Sequence, residues 1–160
     1  MDKVLVARAV FPEVVEALSA HFEVEANPDD RVYTKAELIE RLRGKAGAFT
    51  TGSERIDAEV LAACPDLRAV CNMAVGYNNI DVPACTARGI VVTNTPDVLT
   101  EEVADVAMGL LISTLREFVK ADRYLRSGLW QTQNYPLSVG SLRDRKIGIV
   151  GMGRIGQAIG

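Results

Sequence analysis

The chain has 160 residues, and 48% of them are hydrophobic, which is enough apolar material for the core of one ordinary domain. Its formal net charge of −3 argues against the basic surface of a nucleic-acid-binding protein. The sequence has no membrane-spanning apolar run, no secretory signal pattern and no metal or disulfide spacing of its cysteines. We therefore expect a cytoplasmic protein with no metal site and with no nucleic-acid or membrane partner.

Short apolar runs alternate with helical periodicity from residue 3 to about residue 95, a pattern typical of an α/β domain with a parallel sheet. The predicted strands cover residues 4–7, 22–26, 46–50, 68–73 and 90–93. The helices between them are predicted at residues 12–20, from Thr34, from about Asp57 until Pro65, and at residues 82–87.

Capping residues mark two of these helices. Thr34 and Glu37 match the Thr-x-x-Glu capping box, in which each side chain accepts a hydrogen bond from a free backbone N–H of the other residue. Asp81 is predicted to cap the helix at 82–87, and Gly89 to end it in the left-handed conformation.

The loop at residues 74–81 leaves the carboxyl end of the fourth predicted strand, which is where ligands bind to open α/β sheets. Gly76 allows the backbone to bend so that successive N–H groups face one anion, and Asn78 and Asn79 are typical turn residues. A plain connection between a strand and a helix explains the same residues. The residues alone leave both interpretations open.

A long helix is predicted at residues 100–127, between two α/β patterns, where it would cross from one lobe to the next. Thr100 is expected to cap it alone, because Val103 stands where a capping box needs Glu or Gln. Gly128 is predicted as its left-handed end, and residues 129–141 as a surface loop without periodicity.

The last residues carry a dinucleotide-binding pattern. Residues 146–150 are typical of a buried strand, a G-x-G-x-x-G motif follows at 151–156, and helical spacing begins at Arg154. A structural turn without a ligand is the alternative, since three glycines alone are a weak signal. The flanking strand and helix favour the dinucleotide.

Each motif residue has a predicted task. Gly151 permits the tight turn, Gly153 lets the backbone approach a pyrophosphate, and Gly156 lets helix and strand pack closely. The N–H groups of Arg154 and Ile155 are expected to face the phosphates at the start of the helix.

Three blocks together resemble one known family. They are Met-Ala-Val-Gly-Tyr-Asn-Asn-Ile-Asp at 73–81, Asn-Thr-Pro-Asp-Val-Leu-Thr-Glu-Glu-Val-Ala-Asp at 94–105 and Ile-Gly-Ile-Val-Gly-Met-Gly-Arg-Ile-Gly at 147–156. In composition, order and separation they resemble the D-isomer-specific 2-hydroxyacid dehydrogenases, most of all the glyoxylate/hydroxypyruvate/2-ketogluconate reductase branch. The resemblance covers the whole chain.

The resemblance implies a two-lobed homodimeric oxidoreductase that reduces a small 2-oxoacid to the D-2-hydroxyacid. Residues 1–98 would form a flavodoxin-like substrate lobe, and residues 99–160 the long interdomain helix and the truncated start of a Rossmann NAD(P)-binding domain. The cofactor would be NAD or NADP, with NADPH favoured by the branch. The chain is then expected to be an inactive amino-terminal fragment.

The resemblance also assigns site residues. Backbone N–H groups of Ala74, Val75 and Gly76 would hold the substrate carboxylate, and Val75 and Thr100 would lie beside the cofactor together with Gly151, Gly153, Arg154, Ile155 and Gly156. The family's catalytic arginine, carboxylate and histidine would lie beyond Gly160, so no catalytic residue is predicted in this chain. The only histidine, His21, matches no catalytic position.

Two other functions remain open. The family's architecture is shared by dinucleotide-sensing corepressors, which recruit peptides, so a scaffold is one alternative. A stand-alone α/β module that binds small acids is the other.

Overall fold

In the computed structural model of the chain, five strands form a parallel sheet in the first part of the chain. They are β1 (Lys3–Val6), β2 (Glu23–Ala26), β3 (Gly47–Thr50), β4 (Ala69–Asn72) and β5 (Val91–Thr93). Their order is β2-β1-β3-β4-β5, and every pairing is parallel. This is the flavodoxin-like order, and each strand ends within one residue of its predicted bounds, so the predicted fold class is confirmed.

Four helices connect these strands: α1 (Pro12–Ser19), α2 (Lys35–Leu42), α3 (Ala58–Ala63) and α4 (Val82–Ala87). The Thr34 hydroxyl accepts from the N–H of Glu37, whose carboxylate accepts from the N–H of Thr34 at 2.9 Å, so the predicted capping box is confirmed. Asp57 and Asp81 cap α3 and α4 by accepting backbone N–H bonds. Gly89 ends α4 with a φ of 68°, as predicted.

The hydrophobic core is built by strands β1, β3 and β4 together with helices α2, α3 and α4. Its members include Leu5, Leu42, Leu61 and Val70, which are fully buried. Burial of such side chains is the main favourable contribution to folding, about 1.5–3 kcal/mol for each. The core therefore holds in place the strand ends from which the loops of the candidate site leave.

The structure describes residues 1–136 and 140–160 and divides them into two units, Met1–Val98 and Leu99–Gly160. This boundary coincides with the one predicted between the two lobes, whose roles stay predictions. Among the described residues, no helix has both the length and the apolar character that crossing a membrane requires.

The second unit corrects the prediction of one long helix. Two helices, α5 (Thr100–Leu115) and α6 (Phe118–Arg126), are separated by Glu117, which adopts the left-handed conformation with a φ of 54°. A left-handed residue interrupts the helical hydrogen bonds, so the apolar spacing continues across a break in the backbone. Gly128 has a φ of 74°, as predicted.

A short 3-10 helix at Leu129–Gln131 lies inside the predicted loop. Residues 137–139 of that loop lie outside the described residues.

The predicted strand at residues 146–150 is wrong, because these residues form no strand. Ile147 is 54% exposed and Val150 is fully exposed, so neither side chain is buried as it would be in a covered strand. A parallel strand needs neighbours that complete its hydrogen bonds, and the described residues of the second unit contain no other strand. The helix that follows the glycines does form, as α7 (Arg154–Ile159).

One side-chain cluster joins the loops that follow β1, β2 and β3. The Arg8 guanidinium makes a bidentate ion pair with Asp30 at 2.8 and 2.9 Å and donates to Ser53 at 2.5 Å. Asp30 also accepts the N–H of Ala9 at 3.0 Å. The Arg8 hydrogen bond, aided by the N–H of Ala9, lowers the pKa of Asp30 to about 2.

We expect Thr34→Ala to lower the free energy of unfolding by about 1 kcal/mol, because an orphan N–H of α2 loses its cap. Urea unfolding followed by circular dichroism measures the change. Thr86→Ala is the control, since the Thr86 hydroxyl only donates back to the Val82 carbonyl within α4. Equal losses in the two variants would contradict the role of the capping box.

The Asp30 ion pair predicts a pH-dependent stability. Between its ordinary pKa of 3.8 and the folded value of about 2, the unfolded chain binds a proton that the folded chain does not. The stabilisation by the Arg8–Asp30 ion pair is therefore complete above the ordinary pKa of Asp30, 3.8, and it disappears as the pH falls through the folded pKa of about 2. We expect the stability difference between the wild type and Asp30→Asn to vanish over this range.

Unfolding curves at closely spaced pH values test this expectation. Asp29→Asn changes the same residue type at an exposed neighbouring position, and its difference from the wild type should show no such change. A constant difference for Asp30→Asn would show that the ion pair does not contribute.

Candidate functional site

The candidate substrate loop, residues 74–81, connects β4 to α4 at the carboxyl edge of the sheet. Thr50 of β3 pairs with Asn72 of β4, and Cys71 of β4 pairs with Thr93 of β5. Asn94 directly follows Thr93, so Thr50, Asn72 and Asn94 stand at matching positions on three adjacent strands. Polar side chains from these strand ends therefore reach the loop.

Three successive carbonyl groups of the loop accept hydrogen bonds from these strand ends. The carbonyl of Ala74 accepts the N–H of Thr95 at 3.0 Å. The carbonyl of Val75 accepts the side-chain amide of Asn94 at 2.8 Å, and that of Gly76 the amide of Asn72 at 2.9 Å. The loop backbone is thus fixed by its carbonyl groups.

The N–H groups of the loop are used differently. The N–H of Ala74 donates to the Asn72 carbonyl at 2.9 Å. Within residues 1–98, the N–H groups of Val75, Gly76 and Tyr77 make no hydrogen bond. Gly76 and Tyr77 are exposed. Adjacent backbone N–H groups without partners are suited to binding an anion.

Gly76 does not need to be glycine for its backbone conformation. Its φ is not positive, and an added Cβ would meet only the Asn78 side chain, at the ordinary contact distance of 3.5 Å. The backbone does bend, at residues 73–75 directly before Gly76, and this bend does not use the positive φ that glycine permits.

Buried polar side chains support the loop from below. Asn72 is 2% exposed, and its amide oxygen accepts the Thr50 hydroxyl at 3.0 Å. The Asn79 amide donates to the carbonyls of Thr51 and Glu54, each at 2.9 Å, which ties the loop to the one after β3. Sequence reasoning missed Asn72 and Asn94, although a polar residue at the end of an apolar strand was the available signal.

The glycine motif of the second unit has the expected turn. Gly151 adopts a φ of 102°, which is unfavourable for other residues. Gly156 is buried, and a Cβ there would overlap the Gly151 carbonyl oxygen. Gly153 precedes α7 and faces open space, with no atom within 4 Å of a Cβ. Arg154 and Ile155 are the first residues of α7, and their N–H groups lie at the N-terminus of this helix, where the helix dipole favours anions.

Thr100 does not cap α5, so this prediction is wrong. It is the first residue of the helix, and Leu99 occupies the capping position without a side-chain hydrogen bond. The helical bonds begin one residue early, since the Val103 N–H donates to the Leu99 carbonyl at 3.0 Å. The Thr100 hydroxyl therefore does not meet the N–H groups of the first turn.

Three further sets of groups were candidates for a site: metal-binding clusters, the single histidine and the cysteines. Within residues 1–136 and 140–160, no three His, Cys, Asp or Glu side chains are grouped closely enough for a metal ion. His21 follows α1 and contacts Phe22 edge to face at 6.5 Å. Burial raises the pKa of the Cys64 and Cys85 thiols, so these residues are poor nucleophiles.

Residues 4–143 match the family model of the D-isomer specific 2-hydroxyacid dehydrogenase catalytic domain. The chain belongs to this family. The predicted resemblance to this family is therefore confirmed, and the matched residues include both the sheet and the candidate substrate loop.

Members of the D-isomer specific 2-hydroxyacid dehydrogenase family align along nearly the whole chain. The glyoxylate reductase of Thermococcus kodakarensis is 46% identical over 98% of the chain and 49% of its own length. That of Pyrococcus furiosus is 46% identical over 98% of the chain and 48% of its own length. The chain therefore spans about half the length of the curated relatives it matches.

A solved structure adds a ligand-bound comparison. The NADPH-dependent glyoxylate/hydroxypyruvate reductase of Sinorhizobium meliloti, in complex with NADP and malonate, is 42% identical with a TM-score of 0.82. The match covers 99% of this chain and 48% of that protein. The TT0316 protein of Thermus thermophilus is 38% identical with a TM-score of 0.88, over 98% of this chain and 51% of that one.

Proposed function

We propose that the chain belongs to a reductase that uses NAD(P)H to convert a small 2-oxoacid, such as glyoxylate, hydroxypyruvate or 2-ketogluconate, into a D-2-hydroxyacid. Residues 1–98 act as the substrate lobe and residues 99–160 as the start of the NAD(P)-binding domain. The observation that carries this proposal is the substrate loop, in which the carbonyls of Ala74, Val75 and Gly76 are bonded while the N–H groups of Val75 and Gly76 make no hydrogen bond within residues 1–98.

The substrate carboxylate is the proposed ligand of these N–H groups. Of the three residues that the resemblance assigns, Ala74 donates its N–H to the Asn72 carbonyl of β4, so Val75 and Gly76 are the proposed donors and Ala74 positions them. A 2-oxoacid held by its carboxylate presents the neighbouring carbonyl carbon in a fixed orientation. Such alignment lowers the entropic part of the barrier to reaction.

The proposed cofactor site is formed by Gly151, Gly153, Arg154, Ile155 and Gly156, with Val75 and Thr100 beside the nicotinamide. The open space at Gly153 fits a pyrophosphate that approaches the backbone closely. When bound, the nicotinamide supplies the hydride. Between NAD and NADP we favour NADPH, since a structural relative was solved with NADP.

The acid and the cation that the chemistry requires are proposed to lie in the remainder of the whole protein. Protonation of the carbonyl oxygen needs a general acid, and its polarisation needs a positive group. The resemblance matches no residue of this chain to either role. The chain by itself is therefore proposed to be inactive.

We also propose a homodimer in the cytoplasm. Large apolar side chains of the second unit are exposed, among them Val106, Leu110, Val119 and Trp130. Apolar surface of this kind is suited to cover by another domain or subunit.

The cysteines are free thiols, as expected in a reducing compartment.

Consumption of NADPH tests the proposed reaction. We expect the whole protein to oxidise NADPH when glyoxylate or hydroxypyruvate is added, and the 160-residue chain alone to show no turnover. Absorbance at the NADPH band and chromatography of the D-2-hydroxyacid product measure both. A folded whole protein that reduces no 2-oxoacid but retains peptide partners in a pull-down would refute the reductase and favour the scaffold.

We expect Gly153→Ala to weaken NADPH binding by the whole protein about tenfold or more, because the new methyl group occupies the space reserved for the pyrophosphate. The fold should tolerate it, since the position is open. Gly109→Ala, an equally open position inside α5, is the control. Fluorescence titration gives the dissociation constants, and identical values for both variants would rule out a cofactor role for the motif.

A further inference from the structure

The orientation of each N–H group in the substrate loop is set by the carbonyl group of the residue before it. A trans peptide unit is planar, and its C=O and N–H bonds point in opposite directions. A hydrogen bond that fixes one carbonyl therefore also fixes the next N–H. Each of the three bonded carbonyls in the loop determines the direction of one N–H group.

One of these three peptide units is held by a backbone group and two by side chains. The backbone N–H of Thr95 holds the Ala74 carbonyl and so directs the N–H of Val75. The Asn94 amide holds the Val75 carbonyl at 2.8 Å and so directs the N–H of Gly76. The Asn72 amide acts in the same way on the peptide unit that ends in the N–H of Tyr77.

Asn94 and Asn72 differ in their other contacts. Asn72 is buried and also bonds Thr50 and Asn79, so its replacement disturbs the base of the loop as a whole. The Asn94 side chain makes one described hydrogen bond, to the carbonyl of Val75, and is only partly buried. Asn94 can therefore be changed with an effect confined to one peptide unit.

We propose that Asn94 is a positioning residue, whose amide holds the peptide between Val75 and Gly76 so that the Gly76 N–H faces the substrate carboxylate. This inference rests on the proposed function. Without the amide, the Val75 carbonyl loses its partner and the peptide unit is free to turn toward water. The carboxylate then loses a fixed charge-assisted hydrogen bond.

Ligand binding by the whole protein tests the proposal. The measurements are the dissociation constants of NADPH and of oxamate, an unreactive analogue of a 2-oxoacid, for the NADPH complex, and kcat/KM for glyoxylate. Asn94→Ala should weaken oxamate binding and lower kcat/KM by about tenfold to hundredfold, the range for a hydrogen bond to a charged group. NADPH affinity should stay within about twofold of the wild-type value.

Two further variants separate positioning from folding. Asn94→Asp keeps the shape of the side chain but places oxygens against the Val75 carbonyl, so we expect a loss at least as large. Asn134→Ala changes the same residue type at an exposed position outside the loop, without a hydrogen bond among the described residues, and all three values should remain unchanged. Thermal unfolding confirms that each variant is folded.

The outcomes are distinguishable. Wild-type affinity for oxamate in folded Asn94→Ala and Asn94→Asp would overturn the proposal for Asn94, while leaving the reductase intact. Parallel losses of oxamate binding, NADPH binding and thermal stability would assign Asn94 a structural role and also overturn it. A wild-type protein that neither binds oxamate nor reduces glyoxylate would refute the proposed function itself.

Discussion

The parallel register of β3, β4 and β5 is the constraint on which the candidate site depends. Because the strands run in one direction, Thr50, Asn72 and Asn94 come to the same edge of the sheet. Their side chains and the backbone that follows them supply the donors and acceptors that the substrate loop needs. A shift of one strand by one residue would point these side chains to the opposite face and leave the loop carbonyls without partners.

In the proposed function, the loop backbone is held in place for the substrate carboxylate before that anion binds. A buried or half-buried carbonyl without a partner is costly, so hydrogen bonds to the three carbonyls stabilise the loop in one conformation. The N–H groups on the other side of the same peptide units are then fixed without any contribution from a ligand. Binding energy that would otherwise order the loop remains for alignment of the substrate.

The two units differ in how far their secondary structure depends on hydrogen bonds to other parts of the chain. In the first unit, Arg8, Asp30 and the buried asparagines join loops from several strands, and every strand pairs with at least one neighbour. In the second unit, α5 and α7 form, but the part of this unit that the structure describes has no strand with which the residues before the glycine motif could pair. Helices satisfy their own backbone groups, whereas a strand depends on other parts of a protein.

The sequence predicted those features that short stretches of residues decide. The five strands, the capping box at Thr34, the positive φ of Gly89 and Gly128 and the helix after Gly153 were all predicted, because hydrophobic period and capping chemistry act over a few residues. The motifs that indicated the family are equally local. The glycines in these motifs are the residue type that lets a backbone closely approach a phosphate or a carboxylate.

The tertiary structure alone decided how those pieces interact. The left-handed break at Glu117 lies within an unbroken apolar spacing, and α5 begins at Thr100 rather than after it, so neither feature is visible in the hydrophobic period. The roles of Asn72 and Asn94 became visible only when the sheet placed them beside the carbonyls of Gly76 and Val75. Hydrogen bonds between residues far apart in the chain leave no periodic signal, so sequence determined the elements and the fold determined the site.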